Sequence, residues 1–389
     1  MKNNFKKELL FIIPSKQELP FNDLNHLLSR NYNLNYNLIE TSYYRFGNNK
    51  KEIFKVFRND KCIYYKKEGS YENQLLSIAF HFYFSVKESL IFIKSFLKKK
   101  HVIIITQGLK CFAIGLIAKK ILRKKIKLVS FHGDIINEDY KFFGTGLLNN
   151  IKNFFFIFLQ KILRKLLLKS DLIIYESLKL LKYDKKISKT QLKYILIEPS
   201  LIQEKNNFFN TKYRRKYNII SLGNIINDGH LEFLYKLYKL SKGLIKVHIV
   251  GGDTNMISDC KKKFPFFKFY GYIRNPNKIN NIIKICSFGS AFYNIATAQK
   301  KIIPSGKINF YVTNNLPILS SIYSYENKDI NKSQIGIASN NPKKVWKFIN
   351  KCSNINYYTK IMSNLERFKK NKNYDFHMNI CLNKILNFF

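Results

Sequence analysis

The chain has 389 residues, 46% of them hydrophobic, with 68 lysines and arginines against 25 acidic residues. That length exceeds one ordinary core and predicts two domains of roughly 150–200 residues each, while the apolar content excludes a disordered chain. The formal charge of +43 suits polyanionic partners such as nucleic acid, anionic lipid or phosphorylated small molecules, although the basic bias runs through every segment and forms no compact block.

From the N-terminus, Leu9–Ile13 is a short apolar run ending at Pro14, too short for a signal-peptide core and suited to a first buried strand. No later run approaches the ~20 apolar residues of a membrane-spanning helix. The first hundred residues are otherwise hard to read: Ile53–Phe57 and Ile63–Lys67 fit strands, and Glu72–Leu97 holds a long helix. Val102–Thr106 is a compact strand, Gln107-Gly108 a turn and Ala113–Leu122 a helix. Ile126–Phe131 is the next strand, closing in Phe131-His132-Gly133-Asp134. After a long helical stretch, Ser170-Asp171 introduces the strand Leu172–Tyr175, and Tyr194–Ile197 closes at Pro199. Gln203–Lys216 is polar, charged and without periodicity, the expected linker.

The alternation then restarts. Tyr217–Leu222 is a strand and Gly223-Asn224 a turn, and Leu231, Leu234, Leu237 and Leu240 share one face of a helix over His230–Leu240. Ile245–Val250 is a strand stopped by Gly251-Gly252. Further strands are expected at Phe267–Tyr270, Ser287–Ala291, Pro317–Ser320 and Ile335–Ala338, and helices at Asn275–Ile285, Ser305–Thr313 and Pro342–Asn350. Two successive sets of β-α units predict an α/β protein of two Rossmann-like doubly wound domains facing each other across a cleft. Ligands in such sheets bind beyond the carboxyl ends of the strands. Six scattered cysteines with no C-x-x-C pair fit a reduced, cytoplasmic setting.

The segment Pro304-Ser305-Gly306-Lys307 carries the clearest chemistry. Pro304 and Ser305 open a helix, Gly306 lets a ligand near the backbone, and Lys307 places an ammonium in the first turn. Unpaired N–H groups and a positive helix end then suit a diphosphate. An ordinary surface helix with a solvated lysine is the alternative.

From Pro304 to Pro317 the sequence resembles the donor-site motif of bacterial GT-B glycosyltransferases, P-x-K-h-x-(E or D)-Y-h-a-x-G-h-P, where h is hydrophobic. Lys307, Ile308, Tyr311, Val312, Leu316 and Pro317 stand at matching places. Leu222-Gly223-Asn224-Ile225, Val250-Gly251-Gly252-Asp253 and Phe269-Tyr270-Gly271-Tyr272-Ile273 are similar to the first three strand ends of that family's donor domain. Ile335-Gly336-Ile337-Ala338 is similar to its ending, and Val102–Asp134 with Ser170–Ser177 to the acceptor domain. The likeness covers about Val102 to Asn350. It implies an acceptor-binding domain over 1–202, a linker over 203–216, a nucleotide-sugar-binding domain over 217–374 and a helix over 375–389 crossing back to the first domain. It further implies donor contacts from Gly223, Asn224, Tyr272, Pro304, Ser305, Gly306 and Lys307, with the nucleotide base near Gly223 and Tyr272. The reaction implied is sugar transfer from a nucleotide donor, itself a substrate, to a glycan or lipid-linked acceptor in capsule or lipopolysaccharide synthesis. No cofactor and no metal are expected, for no Asp-x-Asp or histidine cluster occurs. One departure is Phe310, where the family carries the acidic residue that holds sugar or ribose hydroxyls.

Transfer needs a base for the acceptor hydroxyl. His132 and Asp134 pair an imidazole and a carboxylate at an expected strand end, Asp134 as base and His132 as orienter; a local turn contact is the alternative. The stretch Ile151–Lys169 joins a dense apolar run to Lys152, Lys161, Arg164, Lys165 and Lys169. It reads either as a helix lying on an anionic membrane through Lys161, Arg164 and Lys165, or as a core helix with a solvated basic edge. Nucleic acid is not an expected partner, since charge alone speaks for it. A sugar-nucleotide epimerase and a non-catalytic nucleotide-sugar-binding subunit stay open as alternatives.

Overall fold

A strand buried on both faces needs apolar side chains at every position, and such runs supply the central strands of this chain. The computed structural model describes residues 7–13, 36–46, 49–58, 61–68, 74–96, 101–122, 126–132, 146–175, 177–188, 191–197, 217–223, 229–252, 254–273, 275–293, 301–302, 304–372 and 374–388. The chain divides into two units, Met1–Glu198 with Met378–Phe389, and Pro199–His377. The predicted linker 203–216 lies outside the described residues.

The first unit contains β1 (Lys7–Ile13), β2 (Tyr36–Phe46), β3 (Asn49–Arg58), β4 (Lys61–Glu68), α1 (Gln74–Phe96), β5 (His101–Gln107), α2 (Gly108–Leu122), β6 (Ile126–His132), α3 (Leu147–Leu167), β7 (Leu172–Tyr175), α4 (Leu178–Ile187) and β8 (Tyr194–Leu196). Its sheet has the order β4-β3-β2-β1-β5-β6-β7-β8. From β2 to β8 the strands are parallel. At the other end β2, β3 and β4 pair antiparallel, so this sheet is mixed rather than purely parallel. Leu9–Ile13, Val102–Ile105 and Leu172–Tyr175 are buried throughout. The register sets His132 opposite Tyr175 at the carboxyl ends of β6 and β7.

The second unit contains β9 (Asn218–Leu222), α5 (His230–Leu240), β10 (Lys246–Val250), α6 (Thr254–Lys263), β11 (Lys268–Gly271), α7 (Pro276–Lys284), β12 (Phe288–Ala291), α8 (Gly306–Thr313), β13 (Ile318–Ser320), α9 (Asn327–Lys332), β14 (Gly336–Ala338), α10 (Pro342–Lys351) and α11 (Ile355–Asn371). Helix α12 (Tyr374–Phe388) closes the chain, and residues 378–389 belong with the first unit. The second sheet runs β11-β10-β9-β12-β13-β14 with every pairing parallel. Counted within the unit this is the order 3-2-1-4-5-6 of a doubly wound nucleotide-binding sheet, whose topological switch falls between its first and fourth strands, here β9 and β12.

Local sequence explains the helix starts. Asn275 caps α7 by accepting from Asn277 N–H, and Asn341 caps α10 by accepting from Lys343 and Lys344 N–H. A proline follows each cap, where its missing N–H costs nothing, and each such cap contributes about 1 kcal/mol. Leu231, Leu234 and Leu237 bury one face of α5, but Leu240, expected with them, is exposed, because nine positions carry it half a turn round from Leu231. Among the described residues no helix is long and apolar enough to cross a membrane.

Candidate functional site

Three glycines line the carboxyl ends of neighbouring strands in the second unit. Gly223 follows β9 with φ 82°, Gly251 follows β10 with φ 116°, and Gly271 ends β11 with φ 70°. Their backbones knit the rim together: Gly223 N–H donates to Val250 C=O at 2.9 Å and Gly251 N–H to Gly271 C=O at 2.8 Å. A Cβ on Gly251 would stand 2.7 Å from the carbonyl oxygen of Gly223, so side chains are excluded there by contact as well as by conformation.

Across the switch, α8 begins at the same rim. A Cβ on Gly223 would stand 3.2 Å from Cε of Lys307, which means the lysine stem lies across the glycine although 84 positions separate them in the chain. A Cβ on Gly306 would meet nothing within 4 Å, so that side of the first turn opens to free space. Tyr311 pins the helix in this position. Its ring is fully buried against Gly289, its hydroxyl donates to Ser290 C=O at 3.0 Å, and it accepts from Leu222 N–H at 3.0 Å. Burial raises the phenol's pKa, and it remains a neutral clamp between β9, β12 and α8. Ile308 and Val312 bury the rest of that face in the core.

The start of α8 departs from the simple capping picture. Ser305 occupies the cap position but its hydroxyl makes no capping bond; it meets the Tyr293 hydroxyl at 3.0 Å. Ser305 N–H instead donates to Glu326 Oε1 at 2.5 Å, so one amide expected to face a phosphate carries a buried carboxylate, which the helix dipole favours there. Glu326 escaped the sequence reading because it lies in the loop between β13 and α9, 21 residues from its partner. His230, at the start of α5, escaped it too: Nε2 lies 2.9 Å from Ser221 Oγ and 3.2 Å from Ser290 Oγ, joining β9 and β12 beneath the rim. Its signal in the sequence is a histidine following Gly229, which takes a left-handed conformation.

The other predicted donor residues fall as follows. Pro304 is half-buried before α8, and Tyr272 follows β11 with 71% of its surface exposed. Asn224 lies outside the described residues. Phe310 turns partly into the core of the second unit, so the position where the motif calls for an acid serves packing.

In the first unit His132 ends β6 and is buried, while Asp134 lies outside the described residues. The carboxylate that meets His132 is Asp184 of α4. His132 Nε2 lies 3.0 Å from Asp184 Oδ2, close in distance but not aligned as a hydrogen bond. Tyr175 donates its hydroxyl to Oδ2 at 3.0 Å, and Arg164 of α3 donates to Oδ1. Burial works to raise the Asp184 pKa, but the adjacent His132 and the Arg164 guanidinium outweigh it and hold the carboxyl below its usual range. Burial, reinforced by the Asp184 charge, raises the Tyr175 phenol, which stays a donor. The cluster fixes the imidazole at the carboxyl end of the sheet.

Arg164 therefore leaves the membrane-facing set in which the sequence reading placed it. Asn153, Arg164 and Leu167 fall on one side of α3 at helical spacing and face inward, where Asp184 receives the charge. Lys161 and Lys165 are exposed. Among the described residues no group of three or more His, Cys, Asp or Glu side chains could hold a metal ion.

No family model and no curated protein matches the sequence. Solved structures do match. Anabaena HepE in complex with UDP-glucose superposes with a TM-score of 0.61 at 12% identity over 98% of this chain and 100% of that one. The lipopolysaccharide outer core galactosyltransferase WaaB gives 0.54 at 10% identity, over 98% and 100% respectively. An S. aureus TarM variant in complex with fondaparinux, alpha-GlcNAc-glycerol and UDP gives 0.54 at 10% identity, over 88% and 74%. The chain has the α/β fold of these GT-B glycosyltransferases, with two sheet-based units.

Proposed function

We propose that this chain is a glycosyltransferase taking its sugar from a nucleotide donor. The observation that carries the reading is Lys307 lying across Gly223 at the topological switch of a 3-2-1-4-5-6 sheet. An ammonium, an open first helical turn and a side-chain-free glycine rim together form a diphosphate cradle. As the sugar–phosphate bond breaks, negative charge grows on the departing diphosphate, and Lys307 with the α8 dipole offsets it. The acceptor hydroxyl attacks the anomeric carbon and gives up its proton, Asp134 being the proposed base and His132, braced by Asp184, the orienting group. Gly223, Asn224 and Tyr272 take the base end of the donor, and Pro304, Ser305 and Gly306 frame the diphosphate. Because Glu326 already holds Ser305 N–H, the charge of Lys307 carries more of the anion contact than a bare helix end would require.

The acceptor we propose is a glycan or lipid-linked sugar of capsule or lipopolysaccharide synthesis, with metal-independent hexosyl transfer at the inner face of the cytoplasmic membrane. The galactosyltransferase activity in the name of WaaB favours that setting. UDP is the first donor nucleotide to try, since HepE and TarM were both solved with it. The inward-turned Phe310 favours one second reading, a non-catalytic subunit that binds the nucleotide sugar without turning it over.

Thermal unfolding of the purified chain with UDP, GDP, CMP, ADP and dTDP tests the cradle. A nucleotide at ~100 times its dissociation constant should stabilise the fold by about 2.7 kcal/mol, and Lys307→Ala should abolish the shift. No shift with any nucleotide would refute the donor site. A shift without transfer to any acceptor would select the binding subunit, and donor turnover without acceptor would select an epimerase.

A further inference from the structure

Helix α3 is apolar on its solvent side as well as on its inner side, where Phe156, Ile157 and Leu163 are half-buried and Leu167 is buried. Its inner side carries Asn153 and Arg164 beside Leu167, and the Arg164–Asp184 pair anchors it to α4. Its outer side carries Leu147, Ile151, Phe154, Phe155, Phe158 and Ile162, all exposed, with Leu147 at 80%, Phe154 at 74% and Phe155 at 65%. The spacing of these residues places them in one stripe along the helix. A contiguous apolar stripe of this size marks an interaction surface.

We propose that this face docks the chain on a bilayer containing anionic lipid. The stripe continues into Lys165 and Lys169, with Lys161 beside it, all three exposed. Residues 147–169 include no acidic side chain. Aromatic and aliphatic groups buried at the acyl boundary, with lysines reaching the phosphate layer, are what an in-plane helix presents to such a surface. At 21 residues the helix would lie along roughly 30 Å of membrane. A second copy of the chain fits the face poorly, since it would bring the same lysines together with no carboxylate on the segment to answer them. The inference stands apart from the donor-site reading, and its test needs no enzymatic activity.

The test is flotation of the full chain with phosphatidylcholine vesicles, with and without phosphatidylglycerol, at physiological salt. Because the whole chain is basic, the decisive variant keeps every charge: Phe154→Ser, Phe155→Ser and Phe158→Ser combined. Wild type should float with the anionic vesicles, and the variant should partition at least roughly tenfold more weakly. Its thermal midpoint should stay at the wild-type value, since all three side chains are exposed. A separate Phe155→Trp chain should show a blue-shifted emission on adding the same vesicles. Equal flotation of variant and wild type, or no blue shift, would overturn the proposal. So would self-association in sedimentation that the triple variant dissolves while neither protein floats.

Discussion

Replacing Asp184 by Asn keeps the shape of the buried cluster in the first unit and removes its negative charge. Asp184 is fully buried and accepts hydrogen bonds from Arg164 on Oδ1 and from Tyr175, at 3.0 Å, on Oδ2, with His132 Nε2 3.0 Å from the same oxygen. Arg164 is 8% exposed and its Nε has no acceptor among the described residues, so without Asp184 the guanidinium stays charged where water reaches it poorly. Removing one partner of a buried ion pair costs about 3–5 kcal/mol, a large share of the 5–15 kcal/mol that stabilises a typical domain. Urea unfolding followed by circular dichroism reads this loss. Trp346, the one tryptophan of the chain, lies in the second unit and provides an internal reference by fluorescence. The dichroism transition of Asp184→Asn should move to lower urea while the Trp346 transition stays near its wild-type midpoint. Replacing both charges with Arg164→Met and Asp184→Leu should recover most of the loss, because a well-packed apolar pair needs no counter-charge. The pH dependence has a defined sign. With its folded pKa depressed, Asp184 stabilises fully above the unfolded carboxylate value of ~3.9, and that contribution disappears as pH falls through the lower folded value. The gap between wild type and Asp184→Asn should therefore persist at about pH 5 and close only below about pH 4. A cost under about 1 kcal/mol, or a gap that closes near neutrality, would refute the buried-charge account.

The second unit yields three more predictions. Gly289→Ala would place Cβ 2.2 Å from Cγ of Tyr311, and overpacking a filled core should cost about 1–3 kcal/mol or more, read as an earlier Trp346 transition. Tyr311→Phe leaves Ser290 C=O and Leu222 N–H without the phenol that bridges them, for a loss of about 1–3 kcal/mol; equal stability would show that the clamp is not structural. Gly306→Ala meets open space, so it should stabilise the fold slightly, by about 0.5–1 kcal/mol, while shrinking any nucleotide-induced shift. An unchanged nucleotide shift would mean that the diphosphate does not approach that side of α8.

Legibility in the sequence followed the burial of each element. Strands such as Val102–Ile105 and Leu172–Tyr175 are covered on both faces, so every position is apolar and the run declares itself. Strand β2 escaped because its interior holds Glu40 and Thr41, both buried. Glu40 faces Lys55 of β3 across the antiparallel register, with 4.0 Å between the charged atoms. A sequence cannot mark a buried acid as a strand residue before the partner strand is known. Asn-Pro starts at 275 and 341 were readable because a cap involves only residues within three positions of itself.

By itself the sequence determined what depends on near neighbours: the alternation of strands and helices, the glycines at the strand ends, and the Lys307 segment as the opening of a helix. Tertiary structure decided which of these meet. The strand order carried Lys307 onto Gly223, gave His132 its carboxylate in Asp184, and turned Arg164 inward while leaving Phe154, Phe155 and Phe158 outside. Capping and periodicity act over one or two turns, and the chain reads them in place. Ion pairs and close approaches act through space, so they exist only once the sheets have fixed which distant positions lie side by side.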